Sequence, residues 1–339
     1  MRRKKVRIRD IARRLGISDA TVSMAINHPE AVNRSTRQDV LRLCEELDYI
    51  KPAKGKKRRT FNLALISDEA YDFTTDFYGS VTEQLLTQAK QYNYNLILEA
   101  WSETQKDFPL CLSKNKVDGV IILGSFTAEK IALIKQKNLP VVLCAHPLSE
   151  MEIHTVLSDG RSGINKVCKH LIDLGHKKIA AITGGEKFET LAGERLEGYL
   201  FALNEAKLPL NNDYIAEGNF HQPNNVEKQI DKFLSLPNPP TAIVCASDPI
   251  AFCTYEYLKR KGFNIPQDIS VAGFDDLRQP KYTKSLLPKL TTAKVKVDEL
   301  AKYTIEAIFE LMKNPKKVAW RMTLPVDLAI GETTAKPKS

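Results

Sequence analysis

The 339-residue chain lacks paired cysteines, long apolar runs and catalytic signatures, and each absence removes a class of protein. Its six cysteines (Cys44, Cys111, Cys144, Cys168, Cys245 and Cys253) include no C-x-x-C pair, and most lie in apolar runs such as VVLCA and AIVCAS. That spacing excludes a zinc site and reads as buried, reduced thiols of a cytosolic protein. His146, His154 and His221 stand singly, without metal-ligand spacing. No run of about 18 apolar residues occurs, so no transmembrane helix is expected. The basic start MRRKKVRIRD is not followed by the apolar stretch of a secretory signal, and a cytoplasmic, nucleoid-associated location is expected. Neither G-x-G-x-x-G nor G-x-x-x-x-G-K-[ST] is present; TGGEKFE has adjacent glycines only. The serine of DGRSG lacks nucleophile-elbow spacing, and no Ser/His/Asp set can be assembled. The chain is not expected to be an enzyme, nor to carry a cofactor.

What is present is ordinary globular composition, 43% hydrophobic and 27% charged, over a length that suits two or three folding units. The net charge of +9 is unevenly placed: residues 1–60 carry 17 Lys and Arg against 7 Asp and Glu, and the remainder 33 against 34. The whole excess therefore sits in the first 60 residues, as in a polyanion-binding module attached to a neutral body.

That basic segment is patterned. Ile8, Ile11, Ala12 and Leu15 line one face of a short helix. Gly16 can end it and Ser18 can cap a second helix, whose Val22 and Ile26 point inward. Asn33 or Ser35 can cap a third, with Val40, Leu43 and Leu47 inward. Two short helices split by a Gly-containing turn predict a helix-turn-helix.

The phrases IRDIARRLGISDATVSMAIN and VNRSTRQDVLRLCEELDY resemble the headpiece of the LacI/GalR repressor family. The resemblance implies a sequence-specific DNA-binding regulator whose second helix enters the major groove of a palindromic operator. Asp19, Ala20 and Met24 then face base edges, although Asp19 reads equally as a helix cap. Ser18, Thr21, Ser23, Asn27, Arg7 and Tyr49 suit phosphate contacts. Two departures stand out. The family most often has Arg where this chain has Met24, and Met can offer only apolar contact to a thymine methyl, so a different half-site is expected. The family's hinge helix, with its minor-groove leucine, is replaced by the shorter KPAKGKKRRT, in which Pro52 and Gly55 oppose a helix. Its cations, Lys56, Lys57, Arg58 and Arg59 among them, are expected to track phosphates, unless the segment is merely a solvated linker.

From Phe61 the texture becomes α/β. Apolar strand candidates at 61–67, 94–100, 119–124, 140–145, 154–159, 178–183, 242–247 and 270–275 alternate with helical patterns at 78–92, 127–137, 161–174, 191–206, 224–236, 249–261 and 297–313. This predicts an all-α headpiece (1–50), a basic linker (51–60) and a two-lobed body (61–334) of doubly wound parallel sheets. The lobes are expected at about 61–156 plus 290–318 and about 157–288 plus 319–331. HLIDLGHKKIAAITG, ERLEGY, PPTAIVCASDPIA and IPQDISVAGFDD resemble the same family and the periplasmic sugar-binding proteins whose fold it shares; AIGETTA departs from the family's closing R-x-S-T phrase.

In such lobes ligands sit beyond the carboxyl ends of the strands. The resemblance puts Arg195, Asp248 and Asp275 on effector-contacting positions, with Tyr71, Asp72, Phe73, Phe77 and Phe220 as cleft walls. An Arg and two carboxylates can bracket adjacent hydroxyls, which favours a sugar; a nucleobase or nucleoside, or a protein partner, remains the alternative. Asp275–Asp276 also reads as a solvated loop pair, Asp248 as a helix cap and Arg195 as an interlobe ion pair. A homodimer without membrane contact is expected. A transport solute-binding protein fits neither the absent signal nor the basic headpiece.

Overall fold

The computed structural model describes residues 6–28, 31–47, 49, 59–68, 76–102, 107–113, 116–124, 126–148, 150–185, 191–220, 222, 225–277, 287–315 and 317–338. The chain divides into two compact units, Met1–Arg58 and Arg59–Ser339.

Among its described residues the first unit holds three helices: α1 (Ile8–Leu15), α2 (Asp19–Asn27) and α3 (Arg34–Glu46). Ile11, Ala12, Val22, Ala25 and Val40 form its core. Gly16 ends α1 at φ 65°, a left-handed conformation that costs glycine nothing. Ser18 Oγ caps α2 by accepting from Thr21 N at 3.0 Å, and Asn33 Oδ1 caps α3 by accepting from Thr36 N at 2.9 Å. Each such cap contributes about 1 kcal/mol, a large share for so small a core.

The second unit alternates strand and helix: β1 (Asn62–Ser67), α4 (Asp76–Gln91), β2 (Asn95–Ala100), β3 (Gly119–Leu123), α5 (Ala128–Lys135), β4 (Val141–Cys144), β5 (His154–Ser158), α6 (Gly160–Asp173), β6 (Ile179–Ile182), α7 (Leu191–Glu205), β7 (Ile215–Ala216), α8 (Glu227–Leu234), β8 (Ala242–Cys245), α9 (Asp248–Arg260), β9 (Ser270–Asp275), β10 (Thr291–Lys294), α10 (Val297–Lys313), β11 (Arg321–Leu324) and β12 (Asp327–Ala329). Two six-stranded sheets result, ordered β11-β5-β4-β3-β1-β2 and β12-β10-β9-β8-β6-β7. All pairings are parallel except β10 with β12. Central strands such as β3 and β8 are buried at every residue, as helices on both faces require.

The strand pairing corrects the expected lobe boundaries at the C-terminal end. β10 belongs to the second sheet, where Thr291 pairs with Ala272, and β11 to the first, where Arg321 pairs with Thr155. The expected boundaries put these two segments the other way round. Helix α10 does pack on the first lobe, through Leu300, Ala301, Ile305 and Ile308. The chain thus changes lobes between Ser158 and Gly160, between Lys294 and Val297, and between Leu324 and Asp327. β5 and β11 leave the first sheet at their carboxyl ends, and β10 leaves the second at its own. The carboxyl ends of both sheets therefore face one another across the crossovers.

Candidate functional site

On the first unit, α2 presents Asp19, Ala20, Met24 and Asn27 to solvent while Val22 and Ala25 are buried. Met24 is 42% exposed. Asp19 is the first residue of α2, not its cap, because Ser18 takes that role. Ser18 Oγ also meets Thr21 Oγ1 at 2.8 Å, and Asn27 Nδ2 donates to Ser23 O at 2.9 Å. These hydroxyl and amide groups are held in place at the helix surface. Arg7 is exposed and its N–H donates to Asp10 Oδ2 at 2.9 Å; Tyr49 is half-buried against the small core.

In the second unit, three predicted residues meet at the carboxyl ends of β6, β8 and β9. Arg195, near the start of α7, is 6% exposed. Its Nη2 donates to Asp275 Oδ1 at 3.4 Å, and its Nη1 donates to the carbonyl of Ala246. The guanidinium stacks on Phe274, 3.9 Å from the ring centroid, with Phe220 at 5.2 Å. Phe220 can lie so close because Gly184 has no side chain: a Cβ there would stand 2.1 Å from Phe220 Cζ. Asp248 is fully buried. Its Oδ1 accepts from Thr292 Oγ1 at 2.7 Å and its Oδ2 from Leu277 N at 2.8 Å. Asp248 is therefore the first residue of α9 and a bracket between β10 and the segment after β9, not a helix cap.

This cluster holds two carboxylates and one guanidinium out of water. Burial pushes the Asp275 carboxyl up to about 8, with the Asp248 charge adding to the rise and Arg195 opposing it. Burial likewise pushes Asp248 up to about 6, against the hydrogen bonds from Thr292 and Leu277. Asp276 faces outward to Lys294, 2.9 Å away, so the adjacent aspartates divide their roles and only Asp276 forms the surface pair. Asp275 sits at φ 128° and Asp276 at φ 61°, strained backbone for non-glycine residues of the kind that concentrates at functional sites. The cavity beside Arg195 measures about 10 Å³, too small for any sugar-sized guest.

Two of the other predicted wall residues can be placed. Phe220 joins the cluster. Phe77 instead packs against the cores of both lobes, beside Val297 at a crossover, and makes an edge contact with Tyr78 at 5.4 Å. Tyr71, Asp72, Phe73 and His221, like Lys56, Lys57 and Arg58 of the linker, lie outside the described residues. Among the described residues Arg195 makes no interlobe ion pair; its neighbour Glu194 does, with Arg321 of β11. Sequence reasoning missed Ser247, and read His146 only as a surface or lining group. Ser247, 4% exposed, precedes Asp248, and its Oγ has no hydrogen-bond partner among the described residues. His146 follows β4 with its Nδ1 similarly unpartnered, and burial pushes its pKa down to about 4, so it is neutral. Both directly follow apolar strand runs, AIVCA and VVLCA, and that position was the available signal. Among the described residues no His/Cys/Asp/Glu group could hold a metal ion, and no helix is long and apolar enough to cross a membrane.

Residues 7–51 match the model for bacterial regulatory proteins of the lacI family, and residues 168–334 match a periplasmic binding protein-like domain. The ribose operon repressor of Haemophilus influenzae is 31% identical over 91% of this chain and 93% of its own length. The probable HTH-type transcriptional repressor ExuR of Bacillus subtilis is 28% identical over 93% of this chain and 94% of its own. Among solved structures, the transcriptional regulator CelR–cellobiose complex superposes with a TM-score of 0.70 at 23% identity, covering 97% of this chain and 99% of that one. The transcription regulator CcpA of Lactococcus lactis does so with a TM-score of 0.70 at 25% identity, covering 81% of this chain and all of that one.

Proposed function

The chain belongs to the LacI family of bacterial transcriptional regulators, and from that premise we propose that it represses transcription as a cytoplasmic homodimer whose grip on a palindromic operator is set by a sugar bound between its lobes. It acts by binding alone, with no catalytic step. The α2 residues Asp19, Ala20 and Met24 meet base edges, while Arg7, Ser18, Thr21, Ser23, Asn27 and Tyr49 meet phosphates and fix the register.

One observation carries the sugar reading: a buried guanidinium tied to Asp275, with Asp248 buried nearby and a Ser247 Oγ that has no partner among the described residues, all at strand ends of the second lobe. Such a set offers donors and acceptors to adjacent hydroxyls and stacks Phe220 where a sugar's apolar face would lie. The relatives named for ribose and the solved cellobiose complex lend weight to the same class. For the dimer, the support is two exposed apolar side chains at the β2 edge of the first sheet: Leu98 on β2, 38% exposed, and Leu110, 72% exposed, in the segment that Glu99 of β2 holds by accepting from Leu110 N at 2.7 Å.

Thermal unfolding with a panel of neutral pentoses and hexoses, uronates, nucleosides and free bases tests the ligand class. A ligand present at 100 times its dissociation constant stabilises by about 2.7 kcal/mol. A sugar should raise the Tm of the wild type and not of Arg195→Ala. A shift with bases and none with sugars would replace the sugar by a nucleobase.

A further inference from the structure

The effector cluster lies at one end of the sheets; the other end holds a second cluster. Asp118, just before β3, receives four hydrogen bonds. Its two carboxylate oxygens accept from Thr60 N at 3.0 and 2.9 Å, and Oδ2 also accepts from Phe61 N at 3.0 Å and from Tyr94 Oη at 3.1 Å. Its own N–H donates to Asn62 O at 2.8 Å. One side chain thus joins the amino ends of β1, β2 and β3. Thr60 and Phe61 are also the last residues before β1, where the chain arrives from the basic linker. Phe61 is held at φ 58°, a left-handed conformation that an aromatic L-residue avoids unless its surroundings impose it. Its ring is half exposed and meets Tyr94 at 5.5 Å, which in turn packs edge-on to Phe309 of α10 at 4.9 Å. Arg59 lies close enough to Tyr94 to act on its phenol.

A turn that merely joined a linker to a strand would need neither a carboxylate on two successive amides nor a strained Phe. Together they remove the freedom of the first residues after the linker. β1 is buried along five of its six residues, so it moves with the lobe as a rigid rod, and the clamp ties Thr60 and Phe61 to it. We propose that Asp118 is a positioning residue for operator recognition: by holding the amides of Thr60 and Phe61 it fixes the direction in which the linker leaves the first lobe, and so the half-site spacing that a dimer accepts. The proposal rests on the dimeric operator-binding reading above.

Selection of binding sites from random duplex DNA by the full-length protein tests it. One extra base pair between half-sites moves them by about 3.4 Å and turns them by about a tenth of a turn. Wild type should select paired half-sites at one spacing, favoured about tenfold over its neighbours, within the usual range of coupling between sites. Asp118→Asn, which replaces an acceptor by a donor facing the amides, should keep the same half-site and select spacings with less than threefold preference. Phe61→Gly, which accepts positive φ without restraint and removes a half-exposed ring, should broaden spacing likewise, and it decides the matter if Asp118→Asn does not fold. Tyr94→Phe leaves the amide contacts intact and should keep the wild-type spacing. Unchanged spacing in a folded Asp118→Asn or in Phe61→Gly overturns the positioning role. Single, unpaired half-sites from wild type overturn instead the dimeric reading, and the proposal with it.

Discussion

Glu194 and Arg195 are consecutive on α7, yet their side chains serve opposite lobes. Arg195 turns into the second lobe, to Asp275 and the Ala246 carbonyl, while Glu194 reaches Arg321 on β11 of the first. Gly160, at the first crossover, packs against both: a Cβ there would stand 3.3 Å from Arg195 Cγ and 3.5 Å from Glu194 Cβ. A ligand that pulls on Arg195 therefore acts on the turn that also carries an interlobe ion pair. Glu194→Gln and Arg321→Gln should each change the ratio of operator affinities with and without ligand, by no more than about fivefold, since the pair is partly exposed and screened. The double variant should match either single one. Ligand affinity in the absence of DNA should move less than the ratio. Additive effects in the double variant would show that the two residues act separately.

The buried Asp275 ties stability to pH. Its pKa in the folded protein stands near 8, against about 3.9 in an unfolded chain, so folding takes up a proton between those values. The contribution is complete below the unfolded value and is lost as pH rises through the folded one. Stability should fall from about pH 4 to about pH 8 by at most 1.4 kcal/mol per pH unit from this group, with Asp248 adding to the slope only below about pH 6. Asp275→Asn should remove most of that slope in urea unfolding, so that the variant gains on wild type as pH rises. A parallel pair of stability curves would mean that Asp275 is ionised throughout.

Part of this cluster was legible in the sequence, because Asp248 and Asp275 lie at the ends of unmistakable buried strands; Arg195, within α7, was singled out by the family resemblance. The apolar runs VIIL, VVLC and AIVC announced parallel strands by being hydrophobic on both faces. What escaped were strands whose burial does not depend on apolar side chains. β10 reads TTAK, and its Thr291 and Thr292 are buried because their hydroxyls bond Thr334 and Asp248. β11 reads RMTL and alternates exposure at a sheet edge, and β7 and β12 are two and three residues long. Missing β10 and β11 is what displaced the lobe boundaries. Asp118 escaped for another reason: a single carboxylate gives no pattern in sequence, and its importance comes from Thr60, Phe61 and Tyr94 converging on it.

Met24 is exposed on the face of α2 that carries Asp19 and Ala20, so it is free to meet a base. A thioether offers a base edge no strong hydrogen bond, only apolar contact of the kind a thymine methyl accepts. Met24→Arg should shift the selected half-site toward guanine at one position, with discrimination of about 1–3 kcal/mol, while leaving the remaining positions unchanged. Met24→Ala should relax preference at that same position. Identical consensus sequences from all three proteins would remove Met24 from the base-reading set.

The linker cations remain to be weighed against the headpiece. Affinity for duplex DNA falls with salt in proportion to the phosphates neutralised, by a log–log slope of about 0.9 for each. Lys56, Lys57 and Arg58 follow Gly55 without an intervening acid, and Arg59 beside Tyr94 marks where the clamped segment begins. If the first three track phosphates, replacing them by Ser should lower the slope by roughly 2–3 and weaken binding about equally on all sequences. Arg59→Ser alone should change the slope by less than one, because that side chain is already engaged by the first lobe. Should the triple variant keep the wild-type slope, the cations are solvated, and the operator is held by the helical headpieces alone.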